Sequence, residues 1–343
     1  MTIHKLKPSP NIVVRSLRKV YNPVGFKKGY NALLSFVTLG YLVGFCLSQV
    51  RSFDVWGYWA KSANAPGETW AYTTNGPLYK TAITIHIVIV IPSGLLAALQ
   101  FIPVIRYKAL LFHRLNGYLV MLLVLLFSTT GIIISKVAFG GDFATQTFAG
   151  FLGIAVMGAT ALAYFNIKRL QIEQHRAWML RAWVWAASII TLRIIQIIAV
   201  RIIGRIPDSY RMIACQQIDS VTGPGSSAEV YASCAADALG WAAARMDFYG
   251  GAGVAGVIGA LQGTFAGAGL LAFLLHALGI ELYLHLTPAE AERLRLVSRE
   301  RQAERGWRIA GSAGLTADRL GDAEWAPGVK DVELTVQDKT VVI

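Results

Sequence analysis

The chain has 343 residues, of which 55% are hydrophobic and 15% charged, with a formal net charge of +12 and a mean hydropathy of +0.49. This composition excludes an ordinary soluble domain, because the apolar residues form near-continuous blocks of about 20 residues that water could not solvate. The basic residues flank these blocks and no nucleic-acid-binding motif accompanies them, so the charge indicates membrane orientation and no nucleic-acid partner.

Six apolar blocks follow a basic N-terminal segment, residues 1–32, in which we recognise no signal peptide. Each block is long enough to span a bilayer. The predicted spans are 33–50, 82–102, 118–134, 147–167, 178–203 and 252–278. We therefore predict an all-α fold, a polytopic membrane helix bundle of about six transmembrane helices within residues 33–287. The predicted location is a membrane whose type the sequence does not specify.

The distribution of Lys and Arg predicts that both termini are cytoplasmic. Residues 1–32, 103–116 and 168–177 carry thirteen basic residues, whereas 51–80, 135–146 and 204–251 carry seven. Basic residues are retained on the cytoplasmic side of a membrane. The orientation is therefore predicted to be N-in/C-in.

The outer loop 204–251 contains two of the three cysteines, Cys215 and Cys234. The predicted orientation places both on an oxidising side, so we expect a disulfide between them. Cys46 lies in the first block and is expected to be a buried, free cysteine.

The last span is rich in glycine and is followed by a polar tail. Gly259, Gly263 and Gly267 are four residues apart, which predicts one helical face suited to close helix packing. Residues 288–343 are predicted to form a cytoplasmic tail. Pro288 and the Glu and Arg residues that follow indicate a solvated helix, and we expect disorder from about Gly311 because apolar periodicity is weak there.

Two ionisable residues inside the blocks, His86 and Arg193, are candidate catalytic residues, because such groups are costly in a bilayer and must face the bundle interior or a wet cavity. His86 is suited to acid or base chemistry, or to a structural hydrogen bond with a neighbouring helix. No Asp or Glu lies inside the first five blocks. The expected partners of Arg193 are therefore backbone carbonyls, side-chain amides and hydroxyls, or a bound anion. Pro92 predicts a kink that would open a pocket lined by His86, Gln100 and Arg193.

A His-Arg pair occurs twice near a predicted cytoplasmic edge, as His113 with Arg114 and His175 with Arg176. One interpretation is a b-type haem ligated by two of His113, His175 and His276, with the arginines neutralising propionates. A second is a phosphate or carboxylate bound at helix N-termini. A third is structural: the arginines contact lipid phosphate and the histidines cap helices.

The stretch from His86 to about Arg193 resembles the family named domain of unknown function 2306, whose members are multi-pass membrane proteins. The matching strings are IHIVIVIPSGLLAALQFIP, HRLNGYLVMLLVLL and HRAWMLRAWVWAASIITLR. The polar positions carried by the resemblance include His86, Gln100, His113, Arg114, Gly117, His175, Arg176, Met179, Arg181 and Arg193. The resemblance implies a common four-helix unit, formed by the second to fifth blocks, but no accepted activity.

We therefore expect an integral membrane protein that works in the lipid bilayer as an accessory enzyme or factor acting on a lipophilic metabolite. His86 would act as acid or base and Arg193 would bind an anionic group, while Gln100, His113, Arg114, His175 and Arg176 would contact ligand. One alternative is a redox protein with a single b-type haem. The other is a small-solute transporter or binding protein, although no inverted repeat is evident.

Overall fold

The protein is described by a computed structural model of residues 11–325. In chain order the helices are α1 Ile12–Tyr21, α2 Gly29–Ser48, α3 Glu68–Thr74, α4 Pro77–Gln100, α5 Pro103–Lys108, α6 Leu110–Ile134, α7 Phe143–Lys168, α8 Ile172–Ile203, α9 Cys215–Thr222, α10 Ser226–Val230, α11 Ala232–Ala236, α12 Gly253–His285 and α13 Pro288–Glu304. The strands are β1 Tyr210–Ala214 and β2 Trp241–Arg245. Helices α2, α4, α6, α7, α8 and α12 are each long and apolar enough to cross a membrane. The predicted all-α fold with six membrane-spanning helices is confirmed.

Several spans begin earlier than their apolar blocks. Helix α6 starts at Leu110 instead of 118, and α8 starts at Ile172 instead of 178. The added turns contain the two His-Arg pairs. Polar side chains at a helix end can reach water or headgroups while the backbone continues its hydrogen bonds, so a helix extends beyond its hydrophobic block.

The core forms where α8 packs between α7 and α12 and where α4 pairs with α6. Gly269 of α12 marks the closest approach, because a Cβ there would lie 2.8 Å from Leu192 Cδ1 and would also collide with the Phe148 ring. The predicted glycine face of α12 does not pack closely against another membrane helix. Gly263 lies against Met246, outside the membrane helices, and a Cβ at Gly267 would meet no atom within 4 Å.

Helix α2 is the most loosely packed of the six spans. Cys46 is its one buried residue, and side chains such as Phe36, 78% exposed, point away from the bundle. The helix lies mainly against α4, where a Cβ on Gly94 would come within 2.5 Å of Cys46 Sγ. The face of α2 that points toward α8 is therefore left largely uncovered.

The loops collect at two ends of the bundle, which we name. The loop end comprises residues 49–76, 135–142 and 204–252, and the tail end comprises residues 11–28, 101–109, 169–171 and 286–325. At the loop end β1 and β2 pair antiparallel, with Tyr210 opposite Arg245, and α9 to α11 lie between them in sequence. The long loop is thus a folded cap.

A disulfide joins Cys215 and Cys234 in this cap, with a Cα–Cα distance of 5.7 Å, as the sequence predicted. Both cysteines are buried in a small apolar cluster with Ile213 and Ile258. Cys46 is a free, buried cysteine, also as expected.

The tail end is more ordered than expected, because residues 311–325 pack onto α13 and α8. Gln302 Oε1 accepts a hydrogen bond from Gly311 N at 2.6 Å, and Gln171 Nε2 donates to Gly311 O at 2.8 Å. Trp325 stacks its ring 4.1 Å from the Arg295 guanidinium. Buried amide side chains thus provide hydrogen bonds that hydrophobic periodicity does not reveal. The rest of the predicted disorder, 326–343, lies outside the described residues.

Candidate functional site

Arg193 lies on α8 about ten residues, or roughly 15 Å, before the loop end of that helix. Its guanidinium carbon is 5.2 Å from the centre of the Phe139 ring and 5.8 Å from that of Phe265. Arg193 is exposed on the side of the bundle, and within residues 11–325 its guanidinium makes no direct ion pair and donates no hydrogen bond. The aromatic faces stabilise the charge but accept none of its N–H groups in a strong hydrogen bond.

The Phe139 ring reaches Arg193 because the short loop between α6 and α7 folds into the bundle. Phe139 has φ +48°, a left-handed conformation uncommon for a bulky residue, and Gly140 and Gly141 follow it with positive φ. Its ring stacks on Phe265 with centres 4.1 Å apart and planes at 9°. The packing of these two rings therefore holds an unfavourable backbone conformation in place.

Glu68, in the first turn of α3, is the carboxylate near Arg193. It is 1% exposed and accepts a hydrogen bond from Phe139 N at 2.8 Å. Burial raises the pKa of Glu68 to about 7, although the Phe139 amide, the positive charge of Arg193 and Gln262 each lower it. Burial also raises the pKa of the neighbouring Tyr72. A carboxyl group that titrates near neutral pH thus lies within electrostatic reach of the Arg193 cation.

Sequence reasoning missed Glu68. Glu68 lies in the loop between the first and second apolar blocks, whereas only acidic residues inside the blocks were weighed as partners of Arg193. A cation at membrane depth favours a nearby counter-charge. Acidic residues in the adjoining loops were therefore also candidate partners of Arg193.

A lateral groove of about 420 Å³ lies between α2 and α8, next to Arg193. Its walls are residues 40–48 of α2 and 190–194 of α8, and Arg193 contributes to the wall. A Cβ at either Gly40 or Gly44 would meet no atom within 4 Å, so these glycines leave the groove open. The groove is wide open toward the outside of the bundle.

Tyr41 provides a second polar group in the groove and connects it to α12. Its hydroxyl lies 3.3 Å from Thr191 Oγ1, which lies 2.8 Å from His276 Nε2. His276 Nδ1 lies 2.6 Å from the carbonyl oxygen of Val184. Both ring nitrogens of His276 are therefore engaged, and ligation of a haem iron by this residue would require one of these bonds to break.

His86 lies elsewhere, at the contact between α4 and α6. Its Nδ1 is 3.0 Å from the carbonyl oxygen of Phe127 and 3.2 Å from Thr130 Oγ1. His86 does not line the groove. The structural alternative weighed from the sequence, a hydrogen bond to a neighbouring helix, describes its observed contacts.

The predicted pocket shared by His86, Gln100 and Arg193 does not form. Gln100 is the last residue of α4, at the tail end, about 20 Å along the helix from His86, whereas Arg193 lies near the loop end. Pro92, where we expected a kink, lies inside α4, which continues as one helix from Pro77 to Gln100. Helix rise places Gln100 at the tail end, whereas His86 on α4 and Arg193 on α8 lie at similar distances from the loop end.

The two His-Arg pairs do come together. His113 lies in the first turns of α6 and His175 in those of α8, and the two imidazoles are close enough to interact electrostatically. His175 Nδ1 is 3.0 Å from the carbonyl oxygen of Ala163. Arg176 donates to the Tyr283 hydroxyl at 2.9 Å, and Arg114 is exposed.

Within the described part of the chain, no group of three or more His, Cys, Asp or Glu residues is arranged to hold a metal ion. At the tail end, the two His-Arg pairs bring several basic side chains together. Such donor-rich sites suit the oxygen atoms of an anion.

Residues 83–218 match the family model described as "Predicted membrane protein (DUF2306)". The match covers α4 to α8 and ends in α9, so it includes Arg193, both His-Arg pairs and Cys215. No curated protein and no solved structure matches the chain. The chain is accordingly an integral membrane protein of the multi-pass type, whose resemblance to this family covers its central helices.

Proposed function

We propose that this membrane protein binds a lipophilic metabolite with one anionic group, in the groove between α2 and α8, as an accessory enzyme or factor. The observation that carries the proposal is the Arg193 guanidinium, a cation at membrane depth that faces this groove and donates no hydrogen bond to residues 11–325. A cation in an apolar setting is costly unless it is paired, and an anionic ligand would supply the missing partner.

The shape of the groove supports an amphiphilic ligand over a compact soluble one. Its walls are mostly apolar and include Phe45, Ile190 and Ile194, with polar groups only at Arg193, Tyr41 and Ser48. A hydrocarbon chain would lie along α2 over the glycines, and the anionic group would accept hydrogen bonds from the guanidinium. His86 does not reach this groove, so the proposal gives it no proton transfer to the ligand.

Filling the groove tests its role in binding. We expect Gly44→Leu to weaken binding of the fluorescent fatty acid cis-parinaric acid about tenfold or more, because the added side chain would occupy the space over Arg193. Fluorescence titration of the detergent-purified protein measures this change. The matched control is Gly158→Leu, since Gly158 on α7 also has open space around its Cβ position.

The neutral methyl ester of the same fatty acid separates charge recognition from general hydrophobicity. We expect the ester to bind wild type at least tenfold more weakly than the acid. Equal binding of acid and ester, or equal losses in both glycine variants, would contradict the proposal. A reducible Soret band in the absorption spectrum would instead favour the haem hypothesis.

We also propose that the tail end faces the cytoplasm and the loop end an oxidising compartment. The excess of Lys and Arg at the tail end and the disulfide in the cap support this orientation. Alkylation of the denatured, non-reduced protein, isolated from its membrane, should label one thiol, Cys46, and reduction should raise the count to three. Mass spectrometry counts the labels. Three labelled thiols before reduction would contradict the proposed orientation.

A further inference from the structure

The tail end of the bundle contains a cluster of basic residues from α5, α6 and α8, which we call the tail cluster. Its members are Arg106, His113, Arg114, His175 and Arg176. Arg106 lies within electrostatic reach of both histidines and of Arg176. None of these five residues belongs to the groove, and sequence reasoning did not single out Arg106.

Three polar atoms in and beside this cluster are buried and have no hydrogen-bond partner in the part of the chain that the structure describes. They are Gln100 Nε2, Arg106 Nε and His113 Nδ1. Gln100 belongs with the others, since its side chain lies against Gly117, one helical turn from His113. Burying such groups without partners costs free energy, and several at one place indicate an unseen ligand.

The local charges favour an anion at this position. Glu290 is the carboxylate nearest Arg106, and it is held by two hydrogen bonds from Arg293, at 2.9 and 3.0 Å. Arg106 and Arg176 both lie within electrostatic reach of this one carboxylate, which Arg293 already holds. Burial lowers the pKa of the Arg106 guanidinium. Tyr107 and Glu290 raise it, and the positive charges of Arg176 and Arg293 lower it. A bound anion would offset this repulsion.

Two helix N-termini add to the same field. His113 lies in the first turn of α6 and His175 in the first turn of α8, and both helices exceed 20 residues. The positive ends of helix dipoles and their free N–H groups bind anions. Arginine forks match the tetrahedral oxygen atoms of phosphate particularly well.

We propose that the tail cluster binds a phosphate group, through Arg106, Arg176 and His113, with Gln100 as a further donor. The proposal is independent of the groove, because the two sites lie at opposite ends of the bundle. The phosphate could belong to a lipid headgroup or to a soluble phosphate compound, since both present the same oxygen atoms. The position of the cluster at the end of the membrane spans is compatible with either source.

The experiment compares thermal unfolding and native mass spectra of the detergent-purified full chain with phosphatidic acid, with phosphatidylcholine and with inorganic phosphate. We expect phosphatidic acid or inorganic phosphate to raise the unfolding temperature and to bind. Response to phosphatidic acid alone assigns the lipid source, and response to inorganic phosphate assigns a soluble source. Equal effects of phosphatidic acid and phosphatidylcholine, with none from inorganic phosphate, would overturn the proposal.

Variants locate the binding. We expect Arg106→Gln to weaken binding of the ligand that responds about tenfold or more. Arg308 is an exposed arginine at the same end, and Arg308→Gln should leave binding unchanged. Gln100→Leu provides a second variant that adds no charge and should weaken binding less. Should Arg106→Gln fail to fold, Arg106→Lys replaces it and should also bind more weakly, since lysine lacks the planar fork. Equal binding in the Arg106 and Arg308 variants would overturn the proposal.

Discussion

Replacing Arg193 with Gln is expected to weaken binding of an anionic amphiphile about 10- to 100-fold, because a hydrogen bond to a charged group contributes roughly 1.5–3 kcal/mol. Glutamine keeps much of the side-chain volume and removes the charge, so the stacked rings of Phe139 and Phe265 need not move. The loss should appear for cis-parinaric acid and be absent for its methyl ester. Fluorescence titration of both ligands measures it.

The matched control for this experiment is Arg201→Gln. Arg201 lies on the same helix, two residues from its loop end, and is exposed. This variant also removes one positive charge, but from a position outside the groove, so ligand binding should stay within about twofold of wild type. If Arg193→Gln and Arg201→Gln bound the acid equally well, Arg193 would not be the anion-binding residue.

Replacing Glu68 with Gln is expected to remove the contribution of this carboxyl to the pH dependence of stability between about pH 4.5 and pH 7. The folded-state pKa of Glu68 is raised to about 7 from an ordinary value of 4.5. Over that interval the folded protein binds a proton that the unfolded chain has released, so the free energy of unfolding falls as the pH rises. The pKa shift corresponds to roughly 3 kcal/mol of stability. Well above pH 7 the Glu68 carboxyl should add little further pH dependence.

Glutamine can retain the hydrogen bond from Phe139 N through its amide oxygen, so Glu68→Gln isolates the charge. Other groups near the carboxyl are Tyr72 on α3, Arg193 on α8 and Gln262 on α12. Arg211 is already paired with Asp142 at 2.8 Å. Burial raises the pKa of Tyr72, so this side chain stays protonated between pH 4.5 and pH 7.

Thermal unfolding of wild type and Glu68→Gln in detergent, measured at intervals from pH 4.5 to pH 8, tests this expectation. The stability of wild type relative to Glu68→Gln should fall as the pH rises through this range. Asp54→Asn is a suitable control, since Asp54 is an exposed acidic residue in the same loop. Parallel profiles for all three proteins would show that the Glu68 carboxyl does not change protonation in this range.

The two candidate catalytic residues from the sequence have different outcomes. Arg193 was singled out by its depth alone, and it lies at the groove that the proposal uses. His86 was singled out by the same argument, yet its Nδ1 faces α6. A helix pattern gives the depth of a side chain, but the direction of the side chain around the helix axis depends on its neighbours.

The tail cluster was partly foreseen. The repeated His-Arg pair indicated that His113 and His175 belong at the same membrane edge, and the two do lie near each other. Arg106 and the unpartnered amide of Gln100 acquire their significance only from the packing of α5 against α6. His276, the third proposed haem ligand, hydrogen-bonds to α8 through both ring nitrogens, which no spacing in the sequence could indicate.

The sequence alone determined the six spans and the cysteine pair. Transfer of apolar residues into a bilayer is a local property, summed along about 20 residues, so it can be read without knowing any contact. Tertiary structure decided what meets in space. It brought Glu68 and the Phe139 loop to Arg193, and it left α2 apart from α8 to form the groove. These arrangements depend on how distant helices rotate and pack, and the period of a hydrophobic pattern carries no such information.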